Sequence, residues 1–145
     1  MKSRMKKLLT SGMLLAALTL SAQSAFATIG FGDTRAEAVL IKKYGSSSGA
    51  ITSSKDVDWY KYDNRTGESI VVALESPAGK NYDFDLIYIS ANGVESPKST
   101  PTDFGQGGTD VLGIQLGLGD QVYIKVYGHT STDHDPTKQY KLTIY

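Results

Sequence analysis

The stretch QVYIKVYG, residues 121–128, decides the fold because its side chains alternate strictly in character. Successive side chains of an extended strand point to opposite faces, so a period of two indicates a strand with one buried face. The two sets of side chains are Val122, Ile124 and Val126 on one face, and Tyr123, Lys125 and Tyr127 on the other. The aliphatic set predicts the core, and the other set predicts an outer surface.

Six further segments have the same strand character, and turn-forming sequences such as SPAGKN and GLGD separate them. The seven predicted strands cover residues 50–54, 57–63, 69–75, 82–90, 110–116, 121–128 and 139–144. In the last one we expect Tyr140, Leu142 and Ile144 to point inward. Residues 92–108 form a long polar loop. Short strands at intervals of about ten residues predict an all-β fold, an antiparallel β-sandwich.

One short helix is predicted ahead of the strands, at residues 33–45. Thr34 followed by Glu37 fits a capping box, and Gly45 fits a stop at the other end. The spacing of Ala36, Val39 and Leu40 gives this helix a single apolar stripe.

The first 27 residues have the pattern of a secretory signal peptide. Four basic residues precede the apolar run of residues 8–20, which is shorter than the roughly 20 residues of a membrane span. Small residues at Ala25 and Ala27 place the predicted cleavage after Ala27. We therefore predict a signal peptide at residues 1–27, a single domain at residues 28–145 and a secreted, extracellular protein.

The charge balance of the predicted domain excludes some classes of partner. Four of the 15 Lys and Arg residues lie in the predicted signal peptide, so residues 28–145 carry 11 basic and 15 acidic residues, a net charge of −4. That balance gives no electrostatic reason to bind nucleic acid or an anionic membrane. The chain has no cysteine, so a core, helped by a bound ion, has to hold the domain without disulfides.

Four stretches together resemble the bacterial pre-peptidase C-terminal domain: GAITSSKDVDWYKYD, YDFDLIYIS followed by ANG, GLGDQVYIKVYG, and QYKLTI. The resemblance extends from Asp33 to Ile144 and implies a jelly-roll-like β-sandwich, usually appended to secreted proteases and other hydrolases. The related collagen-binding domains of clostridial collagenases share this fold and bind calcium, which joins their leading segment to an acidic strand start.

The acidic residues around position 57 are open to three interpretations. Asp33, Asp56 and Asp58 would form a calcium site if the leading segment folded back beside the strand, although residues 28–32, TIGFG, lack further acidic ligands. Alternatively, Asp33 caps the helix, Asp56 ends a turn and Asp58 accepts backbone hydrogen bonds. Catalysis by the acid pair is disfavoured, because neighbouring strand positions make no cleft.

The remaining polar clusters carry weaker signals. Asp83 and Asp85 are interpreted as solvated strand positions. His129 and His134 can bind zinc together with a carboxylate, but their spacing fits no standard zinc motif and an ordinary polar loop is favoured. No serine lies in a Gly-x-Ser-x-Gly elbow, so the residue content disfavours an enzyme.

The aromatic residues suggest a surface function. In residues 57–63, alternation predicts Tyr60 and Tyr62 in the core and leaves Trp59 at least partly exposed. Together with Tyr123 and Tyr127, Trp59 is a candidate ligand contact, because aromatic rings bind extended peptides and sugar rings. The alternative is cross-strand pairing of outward rings without any ligand.

These observations predict a secreted, non-catalytic β-sandwich module, a monomer, that binds an extracellular protein or polysaccharide. The predicted sites are ligand contacts at Trp59, Tyr123 and Tyr127, and calcium at Asp33, Asp56 and Asp58. The alternative function is an accessory or structural module that assists secretion or stability of a separately encoded secreted hydrolase.

Overall fold

The computed structural model describes residues 32–145. The predicted signal peptide, residues 1–27, lies outside the described residues. The eight strands are β1 (Val39–Leu40), β2 (Ser46–Gly49), β3 (Val57–Asp63), β4 (Ile70–Glu75), β5 (Tyr82–Ile89), β6 (Thr109–Ile114), β7 (Gln121–Gly128) and β8 (Tyr140–Ile144). The prediction is confirmed for β3 and β7 at both ends, and for β4, β5, β6 and β8 to within two residues.

The strands form two four-stranded sheets. The first sheet has the order β1-β3-β7-β5 and the second has the order β2-β8-β4-β6. Strands β1 and β3 are parallel, and every other pair is antiparallel. Consecutive strands along the chain always belong to different sheets, so no strand pairs with its neighbour in sequence.

The core lies between the two sheets and contains one face of each strand. Val122, Ile124 and Val126 are fully buried, as the alternation of β7 predicts. Tyr140, Leu142 and Ile144 of β8 are at most 1% exposed, which confirms their inward orientation. The predicted core tyrosines are confirmed too: Tyr60 and Tyr62 are buried, and the hydroxyls of Tyr60 and Tyr140 are 2.7 Å apart.

The predicted helix at residues 33–45 is wrong. Only a 3-10 turn forms, Arg35–Glu37, and the chain then extends into β1. Val39 and Ile41 point to the core with a period of two, whereas Leu40 is 54% exposed. Parallel pairing with β3 therefore outweighs the helical pattern. Among residues 32–145, the structure has no helix long and apolar enough to span a membrane.

The predicted strand at residues 50–54 is also wrong, because the strand lies just before it. Strand β2, Ser46–Gly49, pairs with β8, and the chain then turns at residues 53–56. Its sequence, SSSG, lacks the alternation of apolar residues by which strands are identified. The buried Ala50 and Ile51 follow the strand and pack at its end.

The long polar loop is ordered against the edge of the first sheet. Isolated bridges join Leu86 to Ser99 and Ile89 to Glu95, so the loop runs along β5. This arrangement overturns the interpretation of Asp83 and Asp85 as solvated, since both are buried, at 9% and 6% exposure.

Candidate functional site

The outer surface of the first sheet carries the predicted aromatic residues. Trp59 of β3 and Tyr123 and Tyr127 of β7 are all half-buried, and they alternate with core residues along both strands. In the register of this pair, Trp59 lies opposite Lys125, and Lys61 lies opposite Tyr123. Rings and ammonium groups therefore interleave across the two strands. We call Trp59, Tyr123 and Tyr127 the aromatic face.

Cationic side chains lie over each ring of the aromatic face. The Lys125 ammonium is 6.0 Å from the Trp59 ring centroid and 5.6 Å from that of Tyr127. The Arg35 guanidinium lies 4.4 Å from the Tyr123 centroid. Such contacts are attractive because the face of an aromatic ring is electron-rich. They hold the rings in place and surround them with hydrogen-bond donors.

Tyr127 has an additional structural contact. Its hydroxyl donates a 3.3 Å hydrogen bond to Asp85 Oδ1. Burial raises the pKa of the Tyr127 hydroxyl, and the charge of Asp85 raises it further. Tyr127 therefore stays protonated and anchored. Tyr123 instead has cations over its ring, the Arg35 guanidinium and the Lys61 ammonium.

The three predicted acidic residues lie together at the start of β3. One oxygen from each of Asp33, Asp56 and Asp58 lies within 4.8 Å of the others. The leading segment folds back because the Trp59 amide donates a 2.7 Å hydrogen bond to the Gly32 carbonyl. Gly32 has a φ of +79°, which favours glycine, and a Cβ there would lie 3.0 Å from the Trp59 carbonyl oxygen. We call the three residues the acidic cluster.

Hydrogen bonds orient two members of the acidic cluster. Asp56 Oδ2 accepts from the Thr52 amide at 2.6 Å and from its hydroxyl at 2.7 Å, as expected for a residue that ends a turn. Asp58 Oδ2 accepts from the Tyr140 hydroxyl at 2.5 Å. Asp33 is exposed and does not cap a helix, because only the short 3-10 turn follows it.

The electrostatics of the acidic cluster are unfavourable without a counter-ion. Burial raises the pKa of Asp58 to about 6, against the hydrogen bond from Tyr140, and the charges of Asp56 and Asp33 raise it further. None of the ion pairs within residues 32–145 involves these three carboxylates. An all-oxygen donor set of converging carboxylates is the set that hard cations such as calcium bind, so these residues fit the ion.

A second group of titratable residues lies at the same end of this sheet, across β7 from the acidic cluster, where the long loop meets β5. His129 Nδ1 is 2.8 Å from Asp83 Oδ2 and 3.4 Å from Asp103 Oδ2. The hydrogen bond and the charge of Asp83 raise the pKa of the His129 imidazole. We call Asp83, Asp103 and His129 the histidine cluster.

Sequence reasoning missed the histidine cluster. It grouped His129 with His134, but His134 is not a member of the cluster. Asp103 belongs to the long polar loop, whose position the sequence does not indicate. The alternation of YDFDL places Asp83 on the outer face of β5, and only the folded loop shows that this part of the face is covered.

No protein-family model and no curated protein matches this sequence. The structure is similar to the crystal structure of the pre-peptidase C-terminal domain of a collagenase from Bacillus anthracis, with a TM-score of 0.59 and 15% identity. The match covers 75% of this chain and 95% of that domain. The chain has the fold of a pre-peptidase C-terminal domain. This finding confirms the fold that the sequence resemblance implies.

A second similar structure is CorA, a surface-associated copper-binding protein from Methylomicrobium album BG8. The TM-score is 0.52 and the identity 8%, over 74% of this chain and 96% of CorA. At this identity the likeness concerns the fold alone. The same arrangement of strands therefore occurs in chains with little sequence in common.

Proposed function

We propose that this protein is a secreted, non-catalytic module that binds an extracellular polymer, a protein or a polysaccharide, through the aromatic face. The observation that carries the proposal is the grouping of Trp59, Tyr123 and Tyr127 on one outer surface, away from the core. Rings offer flat apolar contact, and the interleaved Lys61 and Lys125 donate hydrogen bonds to hydroxyl or carbonyl oxygens.

The proposed non-catalytic role is supported by the lining of a groove in the first sheet. This groove has a volume of about 340 Å³ and lies beside β1 and the end of β3. Its lining residues are Leu40, Ile41, Lys42, Lys43, Tyr62, Asp63, Arg65 and Thr66. This lining contains one carboxylate, that of Asp63, and no histidine. It therefore provides neither a pair of acids nor a nucleophile with its base.

The proposed role of calcium is to fix the strand that carries Trp59. Asp33, Asp56 and Asp58 would hold the ion with carboxylate oxygens, between the leading segment and the start of β3. The ion would neutralise their repulsion and stabilise the folded state, because it binds that state alone. Strand β3 would then present Trp59 in one orientation.

Ligand binding is tested by co-sedimentation with insoluble collagen, cellulose, chitin and peptidoglycan. We expect the protein to bind one of these polymers and Trp59→Ala to weaken that binding by at least about tenfold, as loss of a central aromatic contact does. The matched control is Tyr145→Ala, which removes a 55% exposed ring on the other sheet. Equal binding by both variants would exclude the aromatic face.

The calcium proposal is tested by thermal unfolding of the protein with calcium and with a chelator. We expect calcium to raise the midpoint and the double change Asp56→Asn with Asp58→Asn to remove that rise. Glu75→Gln, an exposed acid on β4, is the control and should keep it. A calcium-dependent rise that survives the double change would place the ion elsewhere, and no rise in the unaltered protein would refute the site.

The second candidate function, an accessory module for a separately encoded hydrolase, has a different surface in its favour. On the outer face of the second sheet, Val71 and Val111 are 38% and 47% exposed. Val111 pairs with Ala73, next to Val71 on the same face, so the two valines are diagonal neighbours. Protein partners bind such apolar patches. Co-purification that is lost in Val71→Lys and retained in Trp59→Ala would favour this function.

A further inference from the structure

The histidine cluster contains more unpaired oxygen atoms than its hydrogen bonds explain. Asp83 Oδ1, Asn81 Oδ1 and Asp110 Oδ2 are all buried without a hydrogen-bond partner in the described structure. Their residues are 9%, 7% and 3% exposed. A buried polar atom without a partner is destabilising, because it has lost its hydrogen bonds to water without replacing them. A bound ion or ordered water could supply the missing partners.

Hydrogen bonds connect the residues of these orphaned oxygens to the cluster. The Asn81 amide donates from Nδ2 to Asp103 Oδ2 at 3.1 Å. Asp83 contacts His129 through Oδ2 and leaves Oδ1 free on the same carboxylate. Asp110 Oδ1 accepts from the amide of Phe104, the residue after Asp103.

Charge is concentrated at the same place. Burial raises the pKa of the Asp110 carboxyl, against the hydrogen bond from Phe104, and the charges of Asp83 and Asp103 raise it further. The cationic group that faces these acids is the His129 imidazole, which contacts Asp83 and Asp103 only. One imidazolium cannot neutralise three carboxylates.

The distances within the histidine cluster suit ligands of a single metal ion. Atoms that each lie about 2.0–2.2 Å from one ion are about 3.0–3.5 Å apart. The separations from His129 Nδ1, 2.8 Å to Asp83 Oδ2 and 3.4 Å to Asp103 Oδ2, are close to that range. All three atoms lie within 4.8 Å of one another.

We propose that Asp83, Asp103 and His129 bind a divalent first-row transition ion such as zinc. The imidazole nitrogen distinguishes this site from the acidic cluster, since calcium and magnesium prefer oxygen ligands. The ion would join β5, β7 and the loop of residues 92–108, and so hold that loop on the sheet. The site does not depend on the proposed function, because it shares no residue with the aromatic face or the acidic cluster.

The test is isothermal titration of the protein, purified without a histidine tag, with zinc chloride and separately with manganese chloride. Calcium is kept in excess to occupy the acidic cluster. We expect one equivalent of zinc or manganese to bind. His129→Ala should weaken zinc binding by at least about tenfold. Even the loss of a residue that only hydrogen-bonds to a metal ligand lowers metal affinity by about 10- to 100-fold. His134→Ala is the matched control and should leave the affinity unchanged.

Asp103→Asn provides a second variant in case a change at the buried Asp83 prevents folding. Asp103 is exposed, so this variant should fold, and we expect it to lose zinc affinity as His129→Ala does. Three results would overturn the proposal: neither metal binds, His129→Ala binds as the unaltered protein does, or His134→Ala loses the affinity. In the first case ordered water would account for the orphaned oxygens.

Discussion

At position 49, the fold leaves no room for a side chain. A Cβ on Gly49 would collide with the Tyr140 hydroxyl and lie 2.9 Å from Asp58 Oδ2. Tyr140 cannot move aside easily, because it is 1% exposed and bonded to both Tyr60 and Asp58. Glycine at the end of β2 is therefore required by the same hydrogen bonds that orient the acidic cluster.

Gly49→Ala should thus lower the free energy of unfolding by about 1–3 kcal/mol, the usual cost of overpacking. It should also weaken calcium-dependent stabilisation by displacing Asp58. Urea unfolding with and without calcium measures both effects. The control is Gly113→Ala, whose Cβ would meet Val71 at an ordinary 3.9 Å and should be tolerated. Equal effects of the two changes would contradict this account.

Asp58 should make stability depend on pH. Its carboxyl has a pKa of about 6 in the folded state against an ordinary 3.8, so the folded state binds the proton more tightly than the unfolded state. The contribution of this group to stability therefore increases as the pH falls from above 6 towards 4. In chelator, we expect Asp58→Asn to reduce the gain in stability between pH 7 and pH 5. An identical gain in both proteins would refute the raised pKa.

At the scale of elements, the loop of residues 92–108 behaves as part of the first sheet. Asp85 accepts two hydrogen bonds from this loop, one of 2.6 Å from the Thr100 hydroxyl and one of 3.0 Å from the Lys98 ammonium. Burial raises the pKa of Asp85, but these two hydrogen bonds outweigh it and hold the pKa below its usual range. The loop thus covers the edge strand β5 and supplies the partners of its buried acid.

Thr100→Val should therefore destabilise the protein by about 1–3 kcal/mol, because it leaves a buried carboxylate oxygen under-bonded. Chemical denaturation measures the change, and limited proteolysis should show faster cleavage within residues 92–108. Thr102→Val, at an exposed position of the same loop, is the matched control and should be neutral. A similar small effect at both positions would mean that Thr100 does not hold the loop.

The elements also show where sequence reasoning succeeds. Strands β3 and β7 alternate so regularly that their limits and buried faces could be predicted. Strand β1 was mistaken for a helix because Ala36, Val39 and Leu40 also fit a period of 3.6, and only pairing with β3 decides between the periods. Strand β2 has serines where a pattern would need apolar residues. The sequence of a segment alone does not determine which distant strand it will pair with.

At the scale of the whole molecule, the two clusters differ in how far they could be predicted. The acidic cluster combines Asp58 of β3 and Asp56 of the turn just before it with Asp33 ahead of β1, and the family resemblance suggested that contact. The histidine cluster unites β5, β7 and the long loop through contacts that no local pattern encodes. Because no strand pairs with its neighbour in sequence, the positions of the functional side chains depend on the complete topology.

That topology makes the two ends of the domain unequal, which a pair of truncations can test. Removing residues 140–145 deletes β8, which lies between β2 and β4 and buries Tyr140, Leu142 and Ile144. Burial of each such side chain contributes about 1.5–3 kcal/mol. This loss, with that of the strand pairing, is comparable to the stability of about 5–15 kcal/mol typical of a domain. We expect this variant to show no cooperative unfolding.

Removing the residues up to Glu37 should have a different result. It spares every strand and the core, so thermal unfolding should remain cooperative at a somewhat lower midpoint. It deletes Asp33 and the Gly32 carbonyl that bonds to Trp59, so the calcium-dependent rise should disappear. Cooperative unfolding of the C-terminal truncation, or a calcium response that persists in the N-terminal one, would contradict the assignment of β8 to the core and of the leading segment to the ion.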